Sequence, residues 1–161
     1  MSFDEKRRGD ASFVHLPVQD PVAVMRKAHE EKLTLCDCLE EIADSLPNKI
    51  DRRVCLNAAN ALVPLLRNIH RYEEEIVFPV FEGKAAGRFG TGGTIARLKA
   101  EHLEDESYAD ELAEALVKMS DGSSDLEAET AGFMLRGFFE SLRRHMAFER
   151  DHILAIIEGV L

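Results

Sequence analysis

The chain has 161 residues and a formal charge of −10, enough for one domain that buries about 70% of the surface its unfolded chain exposes. Trp is absent, and the composition is rich in Leu, Ala, Glu, Arg and Lys, which favours an all-α fold. The acidic balance speaks against nucleic acid or an anionic membrane as partner, and no apolar run reaches the roughly 18 residues of a spanning helix.

Residues 1–19 read as an N-terminal arm carrying His15, followed by one domain over 20–161. Basic residues near the start are not followed by an apolar stretch, so a cytoplasmic location is expected. Asp20-Pro21 spells a helix start, with Asp as cap and Pro at the first helical position. The first helix is expected to reach about Leu46, with Val22, Met25, His29, Leu33, Cys36 and Leu39 near one face. Cys36, Cys38 and Cys55, an odd number of thiols, read as reduced core residues.

A second helix is expected from about Asp51 to Phe81, with Leu56, Val63, His70 and Val77 at a seven-residue step and a kink at Pro64. His70 and Glu74 lie four residues apart, which stacks an imidazole and a carboxylate on one face. In the acidic run, Glu73 and Glu75 read as a solvated face. The glycine-rich stretch 83–93 lacks the context of a phosphate loop and reads as a connection.

A third helix, from about Thr94 to Ser120, carries Ile95, Leu98, His102, Asp105, Ala109, Leu112, Leu116 and Met119 in a bundle-like seam. Glu106 follows His102 by four residues. Ser124-x-x-Glu127 is a capping-box signature for a fourth helix, expected to reach about Gly159. There His145 and Glu149 repeat the spacing of His70 and Glu74, with His152 expected at the core edge.

Short loops predict an antiparallel up-down-up-down four-helix bundle. In it His29 and His102 stand about 12 Å from one end, at 1.5 Å per residue. His70, Glu74, His145 and Glu149 fall at the same level. Four imidazoles and two carboxylates left facing one another without a cation cost about 1–3 kcal/mol for each unpaired group. The donor set has no thiolate, so it suits iron, or less well manganese or zinc. Two iron ions with an oxo or hydroxo bridge use four histidines and two bridging carboxylates, leaving room for Glu106 or a small ligand.

The order His29, His70-x-x-x-Glu74, His102, His145-x-x-x-Glu149, with Glu73 to Pro79 reading EEEIVFP, resembles the haemerythrin-like HHE cation-binding family across roughly residues 20–160. The resemblance implies His29, His70, His102 and His145 as terminal ligands and Glu74 and Glu149 as bridges. Oxygen-carrying haemerythrins have a second histidine where this chain has Glu106, and an aspartate in the last helix where it has Glu149. The pattern is closer to haemerythrin-like proteins that respond to nitric oxide or peroxide and to those that repair iron centres. The expected function is therefore the handling of dioxygen, nitric oxide or hydrogen peroxide, with a redox or iron-accepting protein as partner. The alternative is reversible dioxygen binding or iron storage without catalysis.

Overall fold

The computed structural model describes residues 19–88, 90–123 and 125–161. Residues 1–18 of the arm, with His15, and Ser124 of the capping box lie outside the described residues. The elements are α1 (Pro21–Ser45), α2 (Arg52–Tyr72), a π-helical turn over Glu73–Val77, α3 (Phe78–Lys84), α4 (Thr91–Asp121), α5 (Ala128–Phe148), a second π turn over Glu149–Leu154, and α6 (Ala155–Glu158). Among the described residues there is no strand, and none of the helices is long and apolar enough to cross a membrane.

The caps follow local chemistry. Asp20 accepts from the Val22 amide at 3.0 Å, and Asp51 accepts from the amides of Arg53 and Val54, satisfying donors left over at each helix start. α4 begins three residues before the expected Thr94, behind Gly90, whose φ of 83° lies in the left-handed region that a residue without Cβ adopts freely. α5 begins only at Ala128, behind Glu127. Pro64 sits exposed within an unbroken α2.

α1 packs on α2 and α5, and α4 packs on the same two helices. Two apolar clusters fill the interior. The larger holds Leu39, Leu62, Leu66, Leu112, Leu116, Leu135 and Phe138 among others; the smaller holds Val22, Met25, Val77, Phe78, Phe81, Leu98 and Ile153. Along the chain, α1 passes from the smaller cluster to the larger, α2 with α3 from larger to smaller, α4 from smaller to larger, and α5 with its π turn from larger to smaller. Where each rod crosses between the clusters it carries buried polar residues: His29 and Lys32, His70 and Glu73, His102 and Asp105, His145 and Glu149. The interior is thus apolar at both ends and ionic in the middle.

Three stripe assignments are corrected. Leu33 is exposed, and Lys32 is buried in its place with no accessible surface. Leu56 is exposed because the buried stripe of α2 runs through Cys55, Leu62, Leu66 and Ile69. His152 is exposed, its ring 4.5 Å from that of Phe148, because the π turn directs Ile153 and Leu154 inward. Cys36 and Cys55 are buried free thiols and Cys38 is half-buried. Burial pushes the Cys36 thiol up to about 11, which keeps it protonated and unreactive at neutral pH.

Candidate metal centre

Each polar pair in the middle layer comes from one helix turn, so its partners share a face by the 3.6-residue repeat. Ligand atoms of Glu73, His102, His145 and Glu149 lie within 4.8 Å of one another, and all four residues are buried. His145 Nε2 stands 2.7 Å from Glu149 Oε1, and His102 Nε2 stands 4.0 Å from the same oxygen. His29 Nε2 bonds the other oxygen, Oε2, at 2.8 Å. The His102 ring stacks on that of His70 at 3.9 Å and on that of Phe78 at 5.6 Å. The structure therefore brings His29, His70, His102, His145 and Glu149 to one level.

It does not bring Glu74 and Glu106 there. Glu74 lies at the rim with its side chain 38% exposed, and its Oε1 accepts from His102 Nδ1 at 2.8 Å. Glu106, also on the rim, pairs with His70 Nδ1 at 2.9 Å and lies near Arg67. The carboxylate buried beside His102 is instead that of Glu73, fully enclosed, with Oε2 2.7 Å from His102 Nε2. Glu73 and Glu74 stand three and four residues after His70, and both positions lie near its face. The buried Lys32, whose Nζ is 3.2 Å from Glu73 Oε1, supplies the charge that favours Glu73 inside.

Glu101 completes a pattern. His70, His102 and His145 each have Nδ1 pinned by an outer carboxylate: Glu106, Glu74 and Glu101 respectively. A proton held on Nδ1 by a carboxylate leaves the Nε2 lone pair available, which is how metal-binding histidines are commonly oriented. Sequence reasoning missed Glu73, Glu101 and Lys32. The available signals were local: Lys32 is three residues after His29, and Glu101 is four residues before Asp105 in the polar part of the α4 seam.

The donor geometry fits a cation. His102 Nε2 and Glu73 Oε2 approach to 2.7 Å, yet neither has a hydrogen-bond partner among the described residues, so the contact lacks the alignment of a hydrogen bond. His70 Nε2 and Asp105 Oδ2 are also buried without partners among the described residues. Unpaired groups of this kind cost about 1–3 kcal/mol each, and a cation among them removes much of that cost.

Electrostatics within the protein alone separate the histidines. Burial pushes His70 down to about 2, helped by the charges on His102 and Lys32. Burial also opposes charge on His102, but the carboxylates of Glu149, Glu73 and Glu74 outweigh it and raise the group to about 10. His145 is likewise raised against burial, by Glu149. Glu149 is held well below the usual carboxylate range although burial favours its neutral form, because Lys32 and three histidines surround it. Burial raises Asp105, with nearby cations opposing.

A groove of about 630 Å³ between α2 and α4 reaches this layer. His70 and His102 lie along it with Arg67, Arg71, Leu103 and Glu106.

The fold and the layer define a helical bundle with an internal histidine–carboxylate centre. Residues 20–157 match the model of the Hemerythrin HHE cation binding domain, and the chain belongs to that family. No curated protein and no solved structure matches it.

Proposed function

We propose that this chain is a haemerythrin-like iron domain that handles a small ligand, namely dioxygen, nitric oxide or hydrogen peroxide. The carrying observation is the convergence of Glu73, His102, His145 and Glu149 on one buried point, with the rim carboxylates turning imidazole Nε2 atoms inward. Nitrogen and oxygen donors without thiolate favour iron over structural zinc. Family membership supports the same reading.

The domain takes in residues 20–161, and its rods run up, down, up, down. The alternating order in which the rods cross the two apolar clusters supports that topology. Iron held there would supply a one-electron couple. His102 and His145 would hold it through Nε2 and Glu149 and Glu73 would balance its charge, while Glu74 and Glu101 fix the rings. Phe78 closes one side of His102 against water. The groove beside His70 gives a diatomic molecule or peroxide its path.

The test is metal analysis of protein purified without added iron, joined to optical spectra with each ligand. Retained iron, with bands that change on adding nitric oxide, dioxygen or peroxide, is the expected result. Protein that takes up no iron, or iron whose spectrum ignores all three ligands, overturns the proposal. A reversible dioxygen band without peroxide consumption favours the carrier or storage alternative, whereas peroxide loss over many turnovers favours catalysis.

A further inference from the structure

Lys32 is an unusual occupant of this layer. Long cationic side chains are almost never fully buried unless paired, yet Lys32 has no accessible surface. Its Nζ lies 3.2 Å from Glu73 Oε1. On α1 it stands three residues from His29, so the two face the same part of the layer.

The two inward carboxylates are each divided between two neighbours. Glu149 turns Oε1 to His145 and Oε2 to His29. Glu73 turns Oε2 to His102 and Oε1 to Lys32. One oxygen of each therefore serves the His102–His145 side, and the other serves α1. Carboxylates divided in this way are what a pair of metal ions needs as bridges. On the α1 side, however, they already meet a positive charge.

We infer that the Lys32 ammonium stands in for a second metal ion, so that this chain holds one ion, among Glu73, His102, His145 and Glu149. This rests on the metal-binding reading above and departs from the two-iron expectation. An ammonium has three donors and no lone pair, so it cannot ligate a metal while charged. It also repels a dication placed beside it, in a layer walled by apolar clusters where such repulsion is little screened. Lys32 cannot retreat to solvent, because its stem is enclosed along its length. His29, hydrogen-bonded to Glu149 Oε2, then serves to position that carboxylate.

The test is metal stoichiometry of the full chain, reconstituted anaerobically with ferrous iron and freed of excess. Electron paramagnetic resonance of the oxidised sample provides a second readout. The expected result is one iron per chain and the signal of an isolated ferric ion. Lys32→Met, which keeps length but removes charge, is expected to raise uptake toward two per chain and to silence that signal through coupling between two irons. Two irons in the unaltered protein overturn the inference while leaving the proposed function standing; no iron overturns both. A folded Lys32→Met that still holds one iron shows that the ammonium is not what excludes the second ion, and also overturns the inference. If that variant does not fold, Lys32→Gln takes its place and the unaltered protein's stoichiometry still decides.

Discussion

The chain spells His-x-x-x-Glu at the ends of α2 and α5, and the two copies fold differently. At the end of α5, His145 and Glu149 do what the spacing suggests, meeting at 2.7 Å inside the bundle. At the end of α2, the residue four after His70 turns to the rim and the residue three after it goes inside. In both places the inward carboxylate is the first residue of a π turn, a widened geometry often found at functional sites. What differs is the neighbour. Glu149 is drawn in by three histidines and by the charge on Lys32, whereas Glu73 meets the Lys32 ammonium directly. Spacing selects a face, and a buried countercharge selects the residue on it.

The sharpest way to break this comparison is to remove each inward carboxylate. Glu73→Gln leaves the Lys32 ammonium buried without its partner, a change that costs about 3–5 kcal/mol. Denaturant unfolding of the metal-free protein should show a loss of that size, and a loss under about 1 kcal/mol would mean that the pair is not what holds Glu73 inside. Under the proposed function Glu149→Gln should abolish iron retention, read by metal analysis of the purified variant, because it removes the carboxylate that touches His29 and His145 together.

The rim carboxylates should matter less. Glu74→Gln and Glu101→Gln keep the inner donors and remove only the groups that orient His102 and His145. Under the proposed function each should weaken metal affinity about 10–100-fold, as measured by competition with a chelator. If Glu74→Gln instead eliminates binding while Glu73→Gln spares it, the roles of the two glutamates are reversed.

Acid and base should act through different histidines in the metal-free protein. His102 is raised to about 10, so its contribution is full below the unfolded value of about 6.5 and is lost as pH rises from there toward 10. His70 is lowered to about 2. An unfolded chain takes up that proton more readily, so stability falls as pH drops below about 6.5. Melting temperature against pH should therefore peak near that value for these two groups, and a flat profile from pH 6 to 9 would remove His102 from the account. At the small end, His152→Ala should change stability by less than about 0.5 kcal/mol and leave metal uptake intact, since that ring is exposed against Phe148.

Much of the fold was legible because helical periodicity is a local property. The eight-residue seam of α4 from Ile95 to Met119 is buried throughout, and Asp20-Pro21 starts α1 as its chemistry requires. The common level of His29, His70, His102 and His145 was expected from counting residues along rods taken to alternate in direction. The choice between adjacent positions was not legible. Lys32 or Leu33, Glu73 or Glu74, and His152 or Ile153 all fit a broad helical stripe.

The sequence by itself determined that four amphipathic rods would place imidazoles and carboxylates at one depth, because a 3.6-residue repeat and short connections leave few other arrangements. Only the tertiary structure decided which carboxylate turned inward and that a lysine lies among them. Those choices depend on what a neighbouring helix presents across the interior, and two π turns alter the angular register just where the choice is made.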